Sequence, residues 1–253
     1  MNRTPFALLL ALAGSTLSTA ARAQDAGETE TADAVTAGIE VDVPSRYVSR
    51  GVAASEGPTF QPSAWVGYVG FSALVFTSFD PLGQPEVGNA PTDLTAGLAY
   101  GAEFGPVSME PSATAVTFPG LPENAPTLEL GLEAAVALGP VSACASQSLD
   151  AVAFRGAYYA KVGACAEHTF GSGVAIEGDV GAGGGNLAFN EANFGVPAWG
   201  LDHVEANLAV TIPADSLYLR AHGTVSRLVH PDLVRAMPEP TVGFAGLAVG
   251  AEI

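Results

Sequence analysis

The chain has 253 residues, 9 of them Lys or Arg and 26 Asp or Glu, for a formal net charge of −17. So acidic a surface offers no basic footprint for nucleic acid and repels anionic substrates. Hydrophobic residues nevertheless make up 48% of the chain, which argues against disorder and leaves apolar surface to bury or to place in lipid.

The N-terminus opens with Asn2 and Arg3, continues through an apolar run from Phe6 to Ala13, and reaches Ala21-Arg22-Ala23. A positive start, a short apolar stretch and a small-x-small site predict a cleavable signal peptide over 1–23, cut between Ala23 and Gln24. The apolar run is too short to span a bilayer as a helix, and no cysteine stands at the cut to make a lipoprotein. Without Arg3 and Arg22 the chain carries 7 basic and 26 acidic residues, a net of −19. The acidic stretch around Asp25 to Asp33 reads as a solvated tail, 24–33, ahead of one domain over 34–253.

Beyond the signal no apolar run approaches the ~18 residues of a transmembrane helix. What recurs is alternation with period two, as in Ile39-Val41-Val43, Leu94-Ala96-Leu98-Tyr100, Leu128-Leu130-Leu132, Val204-Ala206-Leu208-Val210 and Leu247-Val249-Ala251-Ile253. Such segments predict strands with one apolar and one polar face. About twelve are expected, near 35–50, 59–68, 70–79, 92–103, 107–117, 127–138, 141–149, 155–169, 173–181, 199–211, 215–226 and 241–253.

The connections carry a second pattern. Tight ones (Tyr68 to Phe71, Phe104-Gly105-Pro106, Leu138-Gly139-Pro140, Gly171-Ser172-Gly173, Ile212 to Asp215) alternate with mostly longer ones. The longer set comprises 52–58, 80–91, 119–125, 181–197 and 228–240, with a short member at 150–153. Short periplasmic turns, longer extracellular loops and an even strand count are the organisation of an antiparallel transmembrane β-barrel, so the fold class is all-β. Outer-membrane lipid is then the partner of the apolar face, and outer membrane the expected location. A soluble secreted β-sandwich or lipocalin-like binder is the competing architecture.

With the apolar rows facing lipid, the alternate rows face the lumen. They carry Glu40, Asp42, Glu110, Glu129, Glu133, Glu167, Glu177, Asp179 and Glu205, with Arg46, Arg50, Lys161, His203, Arg220 and His222 on the same parity. An excess of carboxylates predicts a weakly cation-preferring pore for small solutes or ions. Inward arginines could equally pair with those carboxylates and plug the barrel, leaving a structural or binding role. Tyr47, Tyr68 and Tyr100 fall near strand ends on the outward parity, as interfacial girdle residues would.

Cys144 and Cys165 are the only cysteines, on consecutive strands and both on the inward parity. In an exported chain they predict a cross-strand disulfide with the two residues roughly opposite each other. No Cys-x-x-Cys or histidine cluster suggests a metal or cofactor. Of the histidines 168, 203, 222 and 230, His222 with Thr224 nearby is the best catalytic fragment, and no nucleophile is placed beside it, so no enzyme is expected. Gly181-Ala182-Gly183-Gly184-Gly185 lacks the Lys-Ser/Thr of a phosphate loop and reads as a flexible outer loop.

From Pro44 to Asp80 the chain reads Ser45-x-Tyr47-x-x-Arg50-Gly51-Val52, then Ser55-x-Gly57-Pro58 and Gln61, then a tight hairpin and a strand ending in Phe79-Asp80. This stretch, about a sixth of the chain, resembles the TorF-like family of porins. Members commonly carry aspartate where Arg46 stands and serine where Ala53 stands. The resemblance implies an exported outer-membrane barrel with channel activity and brings no catalytic residues. Such barrels usually end in an aromatic residue, whereas this chain ends in Ile253. Arg50 is placed to reach lumen carboxylates or outer-leaflet phosphates.

Overall fold

The computed structural model describes residues 35–81, 91–120 and 124–253. The expected signal peptide and acidic tail lie outside the described residues. In chain order the elements are β1 (Val35–Pro44), β2 (Val48–Ser49), β3 (Val52–Ala53), β4 (Gln61–Tyr68), β5 (Phe71–Ser78), β6 (Asp93–Tyr100), β7 (Ala102–Phe104) and β8 (Val107–Thr117). They continue with β9 (Thr127–Ala137), β10 (Ser142–Asp150), β11 (Tyr158–Thr169), β12 (Ala175–Gly185), α1 (Leu187–Phe194), β13 (Gly200–Ala214), β14 (Leu217–Leu228), α2 (Pro231–Ala236) and β15 (Thr241–Glu252).

Twelve strands form a closed antiparallel wall. Each pairs with its sequence neighbours, and β6 and β7 are two parts of one wall strand, interrupted at Gly101 and both paired to β8. The ring closes where β1 meets β15, from Gly38↔Glu252 to Pro44↔Gly246. There Ala37 and Ile253 exchange both backbone hydrogen bonds at 2.9 Å. No helix of the described residues is long and apolar enough to cross a membrane, which bears on helical spans alone. The β2–β3 pair stands apart from the wall as a separate two-stranded hairpin.

The short connections gather at one end. Val69 (φ 48°) and Gly70 (φ 79°) make a two-residue turn with both residues left-handed, the geometry that matches strand twist. A Cβ at position 70 would lie 2.8 Å from the Gly101 carbonyl oxygen, so glycine is required for space as well as for dihedral.

Side-chain parity follows the alternation read from the sequence. The outward rows expose Leu208 (58%), Val162 (62%) and Ile39 (61%), together with Val225, Leu247 and Val249. Among the described residues the outward rows of the wall carry no carboxylate; Arg227 and His168 lie there, each near an end of its strand. Apolar outside and charged inside is the reverse of a soluble sandwich, which this fold excludes.

Four local expectations are corrected. The first strand stops at Pro44 rather than near 50, because the chain leaves the wall to form the β2–β3 hairpin. Tyr47 is consequently an inward residue with a buried hydroxyl, while Tyr68 and Tyr100 stay outward. Gly181–Gly185 is strand, paired to β11 and β13, because neighbouring side chains occupy the space a Cβ would need: Tyr159 at Gly183 and Phe189 at Gly185. The 181–197 and 228–240 connections each contain a short helix, capped by Asn186 and His230.

Arginine in place of Leu208, halfway along β13 on the outward face, is expected to cost about 2–4 kcal/mol of refolding free energy in lipid vesicles. Urea titration against wild type measures it, and an unchanged midpoint would mean that this face does not meet lipid.

Candidate functional site

The wall encloses a cavity of about 1790 Å³ that reaches from the tight turns at Gly70, Gly105 and Gly139 up to Tyr47 and Arg50. Ten carboxylates line it, against Arg46, Arg50, Lys161, Arg220 and the imidazole of His222. The sequence anticipated eight of the ten, Glu40, Asp42, Glu133, Glu177, Asp179 and Glu205 among them; Glu103, Glu252 and the aromatic Trp65 it did not single out. Of these, Glu252 was recoverable from parity, since it lies on the inward row of the last alternating strand.

The charges are organised unevenly around the bore. On β1 and β11–β14 they interlock. Arg220 Nη2 donates to Glu40 at 2.7 Å, and the Tyr218 hydroxyl donates to the same carboxylate at 2.9 Å. His222 Nε2 lies 2.9 Å from Asp42, with Phe244 edge-on to the ring. Lys161 Nζ donates to both Asp179 (2.6 Å) and Glu205, and Asn207 donates to Asp179 at 2.8 Å. Two register pairs set glutamate opposite glutamate on the inward face, Glu110↔Glu133 and Glu167↔Glu177. Like charges directly opposite oppose folding of the bare wall, so counter-charge or water in the bore stabilises it.

At the long-loop end the bore is filled. Inward residues there are buried on one strand after another, including Ser78, Thr95, Val116, Glu129, Ser148, Asp150 and Leu228. An apolar cluster of Val52, Ala157, Tyr159, Phe189, Phe194, Ala198, Leu228 and Leu233 joins the β2–β3 hairpin to α1, α2 and the strands beneath. Asn190 of α1 holds the helix to the wall by donating to Asp202 (2.8 Å) and to the Ala198 carbonyl (3.1 Å).

Arg50 sits at the tip of the hairpin, and its side chain is the most connected in this region. Its Nη1 and Nη2 donate to Glu129 Oε1 (3.1 Å) and Oε2 (2.9 Å), and Nη2 also to Ser148 Oγ at 3.1 Å. The guanidinium carbon lies 5.0 Å from the Tyr159 ring centroid and 5.5 Å from that of Phe189. Both partners are withdrawn from water, 10% and 4% exposed. Burial works against the Arg50 cation, but the Glu129 carboxylate outweighs it and the pKa lies above the ordinary arginine value. Burial likewise holds the Tyr47 hydroxyl well above its ordinary range.

The tip is a two-residue turn with Arg50 (φ 48°) and Gly51 (φ 84°) both left-handed. Any Cβ at 51 would press on His203, whose Cγ is 3.0 Å from that point. His203 itself is fully buried, stacked on Tyr159 and 3.3 Å from its hydroxyl. It was expected in the open lumen and instead supports the hairpin from below. Arg46 stands at the hairpin's base and pairs with Glu239 at 2.6 Å.

Cys144 and Cys165 form a disulfide, with Cα atoms 6.1 Å apart. They are diagonal rather than opposite, since Cys144 faces Gly163 and Ser142 faces Cys165. Both line the bore, toward the short-turn end.

No family model matches the chain, and no curated protein matches it. Among solved structures it is similar to the KdgM porin, with a TM-score of 0.53 and 9% identity over 85% of this chain and 98% of that one. It is also similar to the NanC porin, with a TM-score of 0.52 and 9% identity over 84% of this chain and 97% of that one. The fold is therefore that of an outer-membrane β-barrel. Within that class it is a closed antiparallel barrel of twelve strands.

Reducing the Cys144–Cys165 bond is expected to lower stability by about 3 kcal/mol, the loop-closure value for a segment of this length. Urea titration with and without reductant reads it, and two reactive thiols in the denatured, unreduced protein would refute the bond.

Proposed function

We propose that this protein is an outer-membrane channel that passes small solutes passively, with a preference for cations. The observation that carries the reading is the bore itself: a closed ring with an apolar exterior encloses a cavity lined by ten carboxylates and five basic side chains. Glu40, Asp42, Glu133, Glu177, Asp179 and Glu205 supply the negative potential, while Lys161 and Arg220 neutralise part of it on one wall. Cations enter such a lumen more readily than anions because the excess of carboxylates attracts them and repels anions. The long-loop end faces the exterior and the short-turn end, with both chain ends, faces the periplasm. Kinship with the TorF-like porins belongs to this proposal. The segment that bears the resemblance folds as the hairpin crossing the bore followed by β4 and β5.

A second reading is favoured by one observation, the filled long-loop end: a plugged barrel with a structural or binding role.

Single-channel recording of the refolded protein in a planar bilayer under a salt gradient distinguishes the two. Discrete steps with a cation-biased reversal potential are expected, and Glu177→Lys should move that potential toward zero. Steps with an anion-biased potential would remove the cation preference. An inserted protein that stays silent even with the long-loop end cleared would leave the plugged barrel.

A further inference from the structure

The segment between Ser45 and Thr59 leaves the wall and crosses the bore. At its base Ser45 N donates to the Ala245 carbonyl and Thr59 N to the Pro44 carbonyl. Between those two anchors the backbone hydrogen bonds of the described residues are internal: Ala54 and Ser55 donate to the Tyr47 carbonyl, and β2 pairs with β3. Ser55 Oγ closes the unit by accepting from Tyr47 N and donating to the Gly57 carbonyl. The hairpin is thus folded on its own terms and rooted at one side.

Its tip meets the far side. The segment emerges between β1 and β4, and β10, which carries Ser148, is six strands from β1 by either route round the ring. Arg50 therefore spans the full bore to reach Glu129 on β9 and Ser148 on β10, and it lies over Tyr159 on β11. Val52 enters the apolar cluster beside it. No backbone bond of the described residues ties the tip to the far wall; a salt bridge, a hydroxyl and an apolar contact do.

We propose that the β2–β3 hairpin is a transverse gate and that Arg50–Glu129 is its latch. With the latch made, the long-loop end is shut. When it releases, the preformed hairpin turns about Ser45 and Thr59, and the bore opens at the point that sets which solutes pass. Arg50 is then the residue that positions the gate, and Gly51 is required because the tip must clear His203. A two-state element whose closed form rests on a few side-chain contacts meets the physical requirement for gating. This inference rests on the channel reading above.

The test compares four proteins in planar bilayers, with membrane insertion of each confirmed by heat-modifiable migration. They are wild type, R50L/E129L, the charge swap R50E/E129R, and a variant in which residues 48–53 are replaced by Gly-Ser-Gly. The double leucine variant removes both charges, so no unpaired ion is left buried to spoil folding. The expected result is a severalfold rise in conductance and a larger polyethylene glycol cut-off for R50L/E129L and the shortened hairpin, with the charge swap returning toward wild type. If all four conduct alike, the channel stands and the gate is refuted. If the shortened hairpin opens the pore and R50L/E129L does not, the latch is refuted. If the shortened variant is inserted and silent, the channel reading falls and the gate with it.

Discussion

Hydrocarbon offers no hydrogen-bond partner to a peptide group, and this constraint shapes the molecule more than any packing interaction. A sheet in lipid cannot keep an edge, so β1 must find β15, more than 200 residues away in sequence, and the strand count must allow them to meet antiparallel. Once the ring closes, period-two geometry leaves each side chain two destinations. Val41 faces outward because Asp42 faces inward, and the same choice is repeated round the wall. The acidity of the wall strands is thereby forced into the bore, where it becomes a property of the lumen rather than of the lipid-facing surface.

Inside the bore two kinds of electrostatics coexist. Near the short-turn end, charges are partly hydrated and contribute little stability individually. At the hairpin tip, Arg50 and Glu129 are desolvated, and each is tolerable only because of the other. Removing one member of such a pair costs about 3–5 kcal/mol, whereas removing both can be neutral. The left-handed backbone at Arg50 is held by the same contacts. The loop and the wall are therefore coupled through one side chain.

The barrel was legible in the sequence because lipid leaves a simple signature, one apolar row and one polar row, with turn residues at alternating spacing. Inward positions such as Glu40, Lys161, Glu177 and Arg220 follow from parity alone. The failures cluster where parity stops being informative. Tyr47-Val48 continues the alternation of β1, so the strand looked longer than it is, and Tyr47 was assigned to the wrong side. The turn signal was present in Ser49-Arg50-Gly51-Val52, a residue-glycine pair between two short extended pieces. Gly181–Gly185 looked like a loop because glycine is a poor strand former in isolation. The Tyr159 and Phe189 rings that occupy the vacated space come from elsewhere in the chain. The long-range Arg50–Glu129 contact, 79 residues apart, has no local signal at all.

The size of the bore has a consequence best put as a concentration. One uncompensated unit charge confined in about 1790 Å³ amounts to about 0.9 M of fixed charge, several times the roughly 0.15 M of physiological salt. An enclosure with that charge density behaves as an ion-exchange bead of molecular dimensions. In the proposed channel, mobile cations would be concentrated within it, co-ions depleted, and a Donnan potential would stand at its mouth. Bulk salt reaches parity with the fixed charge only near molar strength, so below that the composition of the fluid inside is set by the wall rather than by the medium.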